Sequence, residues 1–256
     1  MNVRRFSSPI LRKAWIPYFI LIFTLLLSVL TMYFVGLETK ENDGLRFNNI
    51  IERTQGIVNN ELITYITLLE GSSGLFAASE DVTREEFNIY VSRLNLRQQY
   101  PGIQGIGYLE RVTTNEKELF VDQAIAEGQP DFHIWPDTGQ STYMPILYIE
   151  PLDKRNEVAL GYDMSSESVR KAAMDKAVQT GKPAMSGKVT LVQEIDQDKQ
   201  AGFLIYLPVF RGGVIPATAQ EREANLQGFV YSPFRADDLL RGILGGEKSP
   251  QIDFRV

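Results

Sequence analysis

The 256-residue sequence contains no cysteine and only one histidine. Without cysteine there can be no disulfide, no thiolate catalysis and no cysteine-ligated zinc. The single histidine, His133, falls in a predicted strand beside Trp135, where a structural or surface role is favoured over that of a general base.

Phosphate-binding Gly-x-x-x-x-Gly-Lys-Ser/Thr loops and Gly-x-Ser-x-Gly elbows are also missing. Glu150 and Asp153 have the carboxylates of a glycosidase pair at a generic spacing, and solvated loop residues or caps are the alternative. The sequence predicts no catalytic residue, no metal site and no cofactor.

Acidic residues clearly outnumber basic ones once the N-terminus is set aside. The formal net charge is −6, and it becomes −10 without the four positive charges Arg4, Arg5, Arg12 and Lys13, which precede the first acidic residue, Glu38. Nucleic-acid binding needs a basic face, so this balance excludes nucleic acid as the expected partner.

One long apolar run, residues 16–35, carries no charge. Twenty helical residues span about 30 Å, the thickness of the hydrocarbon core of a bilayer. The positive charges ahead of this run predict a cytoplasmic N-terminus over residues 1–13, a transmembrane helix over 14–37 and a large domain outside. The alternative, a cleaved signal peptide, needs a shorter apolar core and a small-x-small cleavage site, and neither is found. With no cysteine and a short basic N-terminus, the sequence favours a bacterial inner-membrane protein with a periplasmic or extracellular domain.

Residues 38–79 contain no proline and predict a stalk helix about 63 Å long. A heptad-like stripe supports this helix. Its members are Ile51, Gln55, Val58, Leu62, Tyr65 and Leu69. The stripe predicts a homodimer through the stalk, and packing of the stripe on its own domain is the alternative.

Beyond the stalk, helical and strand patterns alternate over short connections. A capping box at Thr83 and Glu86 opens one helix. The other predicted helices cover 116–126, 166–180 and 235–244, and the predicted strands cover 103–112, 132–135, 143–149, 185–193, 202–210, 226–231 and 251–256. The pattern predicts an α+β fold. A glycine- and proline-containing loop over 211–223 indicates a domain boundary, and the pattern stops in the middle of a strand, which suggests a truncated chain.

Two strands and one helix carry side chains suited to a small-ligand pocket. The strands at 143–149 and 202–210 carry Tyr, Pro and Phe, and the helix at 166–180 has small residues on one side, Val169, Ala172, Ala173 and Ala177 among them. Such elements can line an apolar pocket with a few polar anchors. The alternative is that these rings form plain sheet core.

This ordered set of motifs resembles the CHASE domain, the extracellular sensory module of receptor histidine kinases and cyclases. The matching segments are Gly105-Ile106-Gly107-Tyr108-Leu109-Glu110-Arg111-Val112, Tyr148-Ile149-Glu150-Pro151, Gly161-Tyr162-Asp163, Leu191-Val192-Gln193-Glu194 and Tyr206-Leu207-Pro208-Val209-Phe210. The resemblance implies a stalk helix followed by two PAS-like α+β subdomains, with the ligand pocket in the membrane-distal one. The distal subdomain would cover 80–212, and the proximal one would begin at 213 and be incomplete at 256.

The resemblance also implies a set of pocket residues. The plant members that bind cytokinin carry an aspartate where this sequence has Ser141, and a hydroxyl cannot replace the charge of a carboxylate, which argues against cytokinin. Asp163 matches an acidic residue of the family, with a helix cap or turn as the alternative role. The expected pocket residues are Ser141, Tyr143, Pro145, Leu160, Asp163, Ser186, Val189, Phe203 and Tyr206.

The sequence thus predicts an extracytoplasmic small-molecule sensor of a membrane receptor. An output kinase or cyclase domain and a second span would follow residue 256. The alternatives are a membrane-anchored exported enzyme and an anchored binding module without signalling output.

Overall fold

The structure is a computed structural model that describes residues 15–100, 102–195 and 199–245. Its first helix, α1, covers Trp15–Ala78, and the chain divides into two compact units, Met1–Ile57 and Val58–Val256. The predicted cytoplasmic segment 1–13 and the strand predicted at 251–256 lie outside the described residues.

The first unit contains the apolar part of α1, Trp15–Phe34, with a mean hydropathy of 2.1 and none of its length buried. Within the described residues it is the one helix long and apolar enough to cross a membrane. Its hydroxyl side chains bond back to the helix: Thr24 Oγ1 donates to the Ile20 carbonyl, and Ser28 Oγ donates to the Thr24 carbonyl, both at 2.9 Å. Because these hydroxyls are satisfied within the helix, the span tolerates them in lipid. This is consistent with the predicted anchor.

The second unit contains the last turns of α1 and the remaining elements. The α-helices are α2 (Arg84–Arg93), α3 (Leu96–Gln99), α4 (Lys117–Ala126), α5 (Lys154–Glu157), α6 (Ser168–Thr180), α7 (Ala219–Asn225) and α8 (Ala236–Leu244). The strands are β1 (Ile106–Glu110), β2 (Val112–Thr113), β3 (Thr142–Tyr143), β4 (Ile146–Glu150), β5 (Ala184–Met185), β6 (Gly202–Phe210) and β7 (Leu226–Arg235).

Local signals in the sequence set several helix ends. Thr83 and Glu86 form the predicted capping box at the start of α2. Glu167 caps α6 by accepting hydrogen bonds from two backbone N–H groups of its first turn. Gly181 ends α6 in the left-handed conformation, with φ of 65°.

Five strands form one antiparallel sheet in the order β4-β1-β7-β6-β5. The longest pairing joins β6 to β7, from Gly202 opposite Arg235 to Phe210 opposite Leu226. A separate two-stranded sheet joins β2 to β3. The antiparallel sheet with flanking helices confirms the predicted mixed α+β class.

Helices cover both faces of the large sheet. On one face, the last turns of α1 and helix α2 pack on side chains that include Tyr108, Tyr148 and Phe234. On the other face, α6 packs on a second cluster that includes Tyr206 and Tyr231. Strand β6 supplies alternate residues to the two faces, as the period of a strand requires. The sheet is therefore a layer between the end of α1 and α6.

Two predicted strands are largely absent from the described structure, for local reasons. Residues 132–135 form only a single bridge, Trp135 to Tyr162, so the predicted strand there is wrong. The strand predicted at 185–193 shrinks to β5, because the Ser186 hydroxyl accepts the Leu204 N–H at 2.9 Å and donates to the Gly187 carbonyl at 2.8 Å. A side chain here takes over the pairing that a strand backbone would make.

The strand predicted at 143–149 divides into β3 and β4. Met144 gives its N–H to the Asp163 carboxylate at 2.9 Å, and Pro145 has no N–H to give. The ladder is therefore interrupted at these two residues.

The predicted boundary at residue 213 falls within one sheet. Strand β7 follows the loop and pairs with both β6 and β1, so it lies at the centre of the sheet. The prediction that a second subdomain starts at residue 213 is therefore wrong for residues up to 235. Strand β7, residues 226–235, belongs to the same sheet as the strands that precede the loop. The signal that suggested a boundary belongs to a long connection that includes α7.

The C-terminal part of the stalk stripe packs on its own domain. Tyr65 and Leu69 are fully buried in the cluster beneath α2, and Tyr65 lies against Phe234 with ring centroids 5.0 Å apart. These two residues hold the end of α1 to the sheet.

Candidate ligand-binding site

Helix α6 packs on the sheet with Val169, Ala173 and Ala177 of the predicted side, but not with Ala172. Its buried residues are Arg170, Ala173, Met174, Ala177 and Val178, whereas Ala172 is exposed. Two alanines at the contact let the helix approach the sheet closely. Arg170 therefore lies on the same buried face of α6 as the two alanines.

The Arg170 side chain is only 5% exposed. Its guanidinium donates to the Thr190 carbonyl at 2.8 Å and to the Tyr162 hydroxyl at 3.3 Å, and it lies 5.3 Å from the centre of the Tyr162 ring. Among the described residues, its counter-charge is Glu167, 3.6 Å away and one-third exposed. The Nε atom has no hydrogen-bond partner among the residues that the structure describes. A buried guanidinium with an unused donor and a weak counter-ion is costly, so this position favours an additional acceptor.

Two fully buried tyrosines lie on the same face of the sheet. The rings of Tyr206 and Tyr231 stack with centroids 6.1 Å apart. The Tyr206 hydroxyl points at the Met164 sulfur, 3.6 Å away, and the Tyr231 hydroxyl has no partner within the described ranges. Burial raises the pKa of both hydroxyls well above the usual value, against the opposing effect of the Arg170 charge. Both therefore stay protonated and available as donors. We call Arg170, Tyr162, Met164, Tyr206 and Tyr231 the Arg170 cluster.

A small cavity lies next to this cluster. Its volume is about 230 Å³, and Ser141, Met144, Met174 and Phe229 are among its lining residues. Phe229 and Met174 belong to the same buried cluster as Tyr206, and the Phe229 ring meets the Tyr206 ring edge-on at 6.1 Å. We call this opening the Ser141 cavity.

The predicted pocket residues do not form one set. Tyr206 and Val189 belong to the cluster under α6, Leu160 packs at its edge, and Ser186 is buried near Leu204. Ser141 lies in the neighbouring cavity. Of these five, Tyr206, Val189 and Leu160 share one packed cluster.

The other predicted residues have different surroundings. Tyr143 is buried in a separate cluster with Phe120, and its hydroxyl donates to Asp137 at 2.9 Å. Phe203 lies on the opposite face of the sheet, stacked on Phe234 with centroids 5.0 Å apart. Phe203 and Tyr206 therefore cannot line the same pocket, and that part of the predicted arrangement is wrong.

Asp163 acts as a cap. Its carboxylate accepts hydrogen bonds from the Met144 N–H at 2.9 Å, the Ser165 N–H at 3.0 Å and the Ser165 hydroxyl at 2.7 Å, as well as from the Gln140 amide. Pro145, its neighbour across an isolated bridge, is buried beside it. Donors of the chain itself therefore occupy the Asp163 oxygens. Of the two roles considered for Asp163, ligand contact and helix cap, the structure shows the cap.

The predicted residues omit Arg170 and Tyr231, the two members of the cluster with unpartnered donors. A signal for Arg170 was present, because it precedes Ala173 by three residues and Ala177 by seven, the spacing of a single helix face. Tyr231 had no such signal, since its role depends on the pairing of β7 with β6. Within the described residues, no group of three or more His, Asp or Glu side chains is placed to hold a metal ion.

Comparison with known proteins identifies the family of this domain. The family model of the CHASE domain matches residues 80–256. No curated protein sequence matches the chain. CHASE domains are extracellular sensory domains of signalling receptors rather than catalytic domains. The family match covers more than half of the sequence and includes the whole sheet, the α6 face and the Arg170 cluster, and the chain therefore belongs to the CHASE domain family.

Proposed function

We propose that this chain is the anchor and sensor part of a membrane signalling receptor, and that its domain binds a small carboxylate ligand at the Arg170 cluster. The observation that carries the proposal is the buried Arg170 guanidinium, whose Nε has no acceptor in the described part of the chain. The Tyr231 hydroxyl, on the sheet face that α6 covers, is likewise a donor without a partner there. Because both unused groups are donors and one is cationic, the complementary ligand group is an anionic acceptor. The tyrosine rings favour an aromatic or otherwise apolar body.

The Ser141 cavity supplies a route to this cluster. Two of its lining residues, Met144 and Met174, have flexible unbranched side chains. Repacking of these methionines would enlarge the cavity toward Phe229 and Tyr206. The protein would then exist in a closed state and a ligand-bound open state, and the ligand would shift the population between them.

The sheet offers a path from the ligand to α1. Tyr206 faces α6, while its neighbours Ile205 and Leu207 on the same strand face the cluster that contains Tyr65 of α1. A shift of β6 caused by ligand binding therefore acts on the packing of α1. Through this contact, α1 would transmit the effect of ligand binding from the sheet toward the membrane.

The remaining features of the receptor belong to this proposal. The N-terminus would be cytoplasmic, the span would cross the inner membrane, and the domain would lie in the periplasm or outside the cell, as the positive charges before the span favour. A histidine kinase of a two-component system, or a cyclase, would supply the output. The antiparallel sheet covered by helices supports a PAS-like description of the domain. A second, proximal PAS-like subdomain would involve residues after α8.

We further propose that the receptor is a homodimer through the stalk. Within the second unit, Ile63 lies on α1 and is 52% exposed, in contrast to the buried Tyr65 and Leu69. Sedimentation of the full chain in detergent would report a dimer, and Ile63→Glu would shift it toward monomer. A chain that sediments as a monomer at all concentrations would contradict this proposal.

Benzoate and its uncharged isostere benzamide test the ligand class directly. We expect saturating benzoate to raise the melting temperature of the full chain in detergent by about 5 °C, since a ligand at a hundred times its Kd stabilises by about 2.7 kcal/mol. Benzamide should have little effect. Arg170→Met should abolish the benzoate shift, because the variant keeps the apolar stem and removes the charge.

Arg222→Met is the matched control. The Arg222 guanidinium also contacts α6, but the Val178, Pro216 and Ala217 carbonyls, among others, occupy its donors. This variant should lose stability and keep the response to benzoate. Equal shifts with benzoate and benzamide, or a benzoate shift that survives in Arg170→Met, would overturn the assignment.

A further inference from the structure

A second cavity, distinct from the Arg170 cluster, lies on the other face of the sheet at the C-terminal end of α1. Its volume is about 300 Å³. Its walls come from α1 and the loop after it, strands β1 and β4, helix α4 and the start of β7. Its aromatic and acidic lining residues include Phe76, Asp81, Tyr108, Glu110, Glu127 and Tyr148. We call it the acidic cavity.

Three carboxylates line this cavity. Asp81 and Glu127 are exposed, and Glu110 is partly buried. In the part of the chain that the structure describes, none of the three forms an ion pair with a lysine or arginine. The exposed Arg211 lowers the pKa of Glu110, but its effect is smaller than that of burial. The cavity therefore holds negative charge that the protein leaves uncompensated.

Tyr108 gives an independent indication of a missing partner. The residue is only 1% exposed, and among the described residues its hydroxyl has no partner with good hydrogen-bond geometry. The Glu110 carboxyl is its neighbour: beyond the main effect of burial, the Tyr108 hydroxyl acts as a donor that lowers the pKa of Glu110. A buried hydroxyl on the cavity wall without a partner favours a ligand that supplies one.

Aromatic rings form the apolar part of the wall. Phe76 stacks on Tyr108 with centroids 4.0 Å apart, and Tyr148 lies opposite Tyr108 on the next strand. The Tyr148 hydroxyl donates to Glu127 at 2.8 Å, which connects the aromatic wall to a carboxylate. Aromatic rings beside carboxylates favour the binding of an alkylammonium ion. Its charge can pair with the carboxylate oxygens, and its methylene groups can pack on the rings.

We propose that the acidic cavity binds a small organic diammonium ion that spans its carboxylates. A single metal ion fits less well, because no three carboxylates among the described residues lie close enough to share one. An extended dication can reach separate carboxylates while its hydrocarbon chain lies along Phe76 and Tyr108. This site goes beyond the proposed carboxylate site, and it opens on the opposite face of the sheet.

The occupant would contact α1 directly. Phe76 lies near the end of that helix and packs on both Phe87 and Tyr108. A ligand in the acidic cavity therefore acts on the same helix as the proposed sensor site, from the other side of the sheet. This makes it a second input to the receptor.

Binding should depend on pH through Glu110. Burial raises the pKa of Glu110 to about 7. The other groups that act on this carboxyl are Tyr108 on its own strand, Asp81 after α1, Glu116 before α4 and Arg211 after β6. Because an ionised Glu110 attracts a cation and a protonated one does not, affinity should rise as the pH increases from 6 to 8.

Calorimetry of the full chain in detergent with 1,4-diaminobutane tests this proposal. We expect saturable binding that is at least ten times tighter at pH 8 than that of butylamine, with no heat from 1,4-butanediol. Glu110→Gln should weaken binding about tenfold at pH 8 and remove the increase between pH 6 and pH 8. Glu118→Gln, an exposed residue of α4 outside the cavity, is the matched control and should bind as the wild type does.

Each alternative outcome overturns the proposal. Absence of diamine binding would remove the site, and calcium binding with an equal or higher affinity would replace it with a metal site. Equal losses in Glu110→Gln and Glu118→Gln would reduce it to general attraction by an acidic surface. Arg170→Met should leave diamine binding unchanged, so failure of the carboxylate site and failure of this site are separable.

Discussion

Gly161→Ala is expected to lower the melting temperature of the chain by at least about 10 °C, or to prevent folding, because two effects combine at this position. Gly161 has φ of 73°, a conformation that other residues adopt only at a cost. A Cβ atom there would lie 1.9 Å from the His133 carbonyl oxygen. The Gly161 N–H and carbonyl also connect Ile146 to Trp135 by hydrogen bonds of 2.9 and 3.0 Å. Movement away from the clash would break these bonds and displace Tyr162.

Gly139→Ala separates the two effects. Gly139 has a similar φ of 66°, but a Cβ there would meet nothing within 4 Å. This variant should lose only the conformational cost of about 1 kcal/mol. Thermal unfolding of both variants, followed by tryptophan fluorescence, makes the comparison. Similar melting temperatures for the two would show that the close approach to His133 contributes little.

Glu110→Gln is expected to stabilise the protein at pH 8 by about 3 kcal/mol and to have little effect at pH 4. Burial raises the pKa of Glu110 from 4.5 to about 7. Between these two values the unfolded chain has released a proton that the folded protein still holds. Wild-type stability therefore falls as the pH rises through this window, and the loss is complete above the folded-state pKa. Glutamine never ionises, so the variant escapes the loss.

Urea unfolding of wild type and Glu110→Gln at several pH values measures this difference. The gap between the two free energies of unfolding should open from about pH 4.5 and become constant above about pH 7. A gap that is independent of pH, or a variant that is less stable at pH 8, would contradict the burial of this carboxyl. Diaminobutane should narrow the gap at pH 8, because a bound cation compensates the wild-type carboxylate.

Elements with local signals were predictable from the sequence. Thr83 and Glu86 fixed the start of α2, and the run of β-forming residues over 202–210 matches β6. The family resemblance was also predictable and is confirmed by the match over 80–256. These features depend on neighbours in sequence or on ordered short motifs.

Features that depend on distant contacts were not predictable in the same way. The loop before β7 indicated a boundary, yet β7 pairs with β1, more than one hundred residues earlier in the chain. The split of the strand over 143–149 depends on Asp163, which reaches back to the Met144 N–H. Hydrophobic patterning carries no information about such pairings.

Part of the error in the predicted pocket could have been avoided from the sequence alone. Phe203 and Tyr206 are three residues apart on one strand, and an odd separation puts two side chains on opposite faces. Arg170 likewise had the spacing of the α6 core face. By contrast, the acidic cavity combines Phe76, Glu110 and Glu127 from elements far apart in sequence, and only the folded chain brings them together.

Hydrogen–deuterium exchange of the full chain in detergent, with and without saturating benzoate, is the most direct test of the sensor account. The account predicts increased protection in α6 and in residues 186–195, which surround the Arg170 cluster, and altered exchange in the α1 segment 62–78. Arg170→Met should show none of these changes. Benzoate binding that leaves exchange in α6 and in residues 186–195 unchanged would contradict the central claim that this face of the sheet is the ligand site.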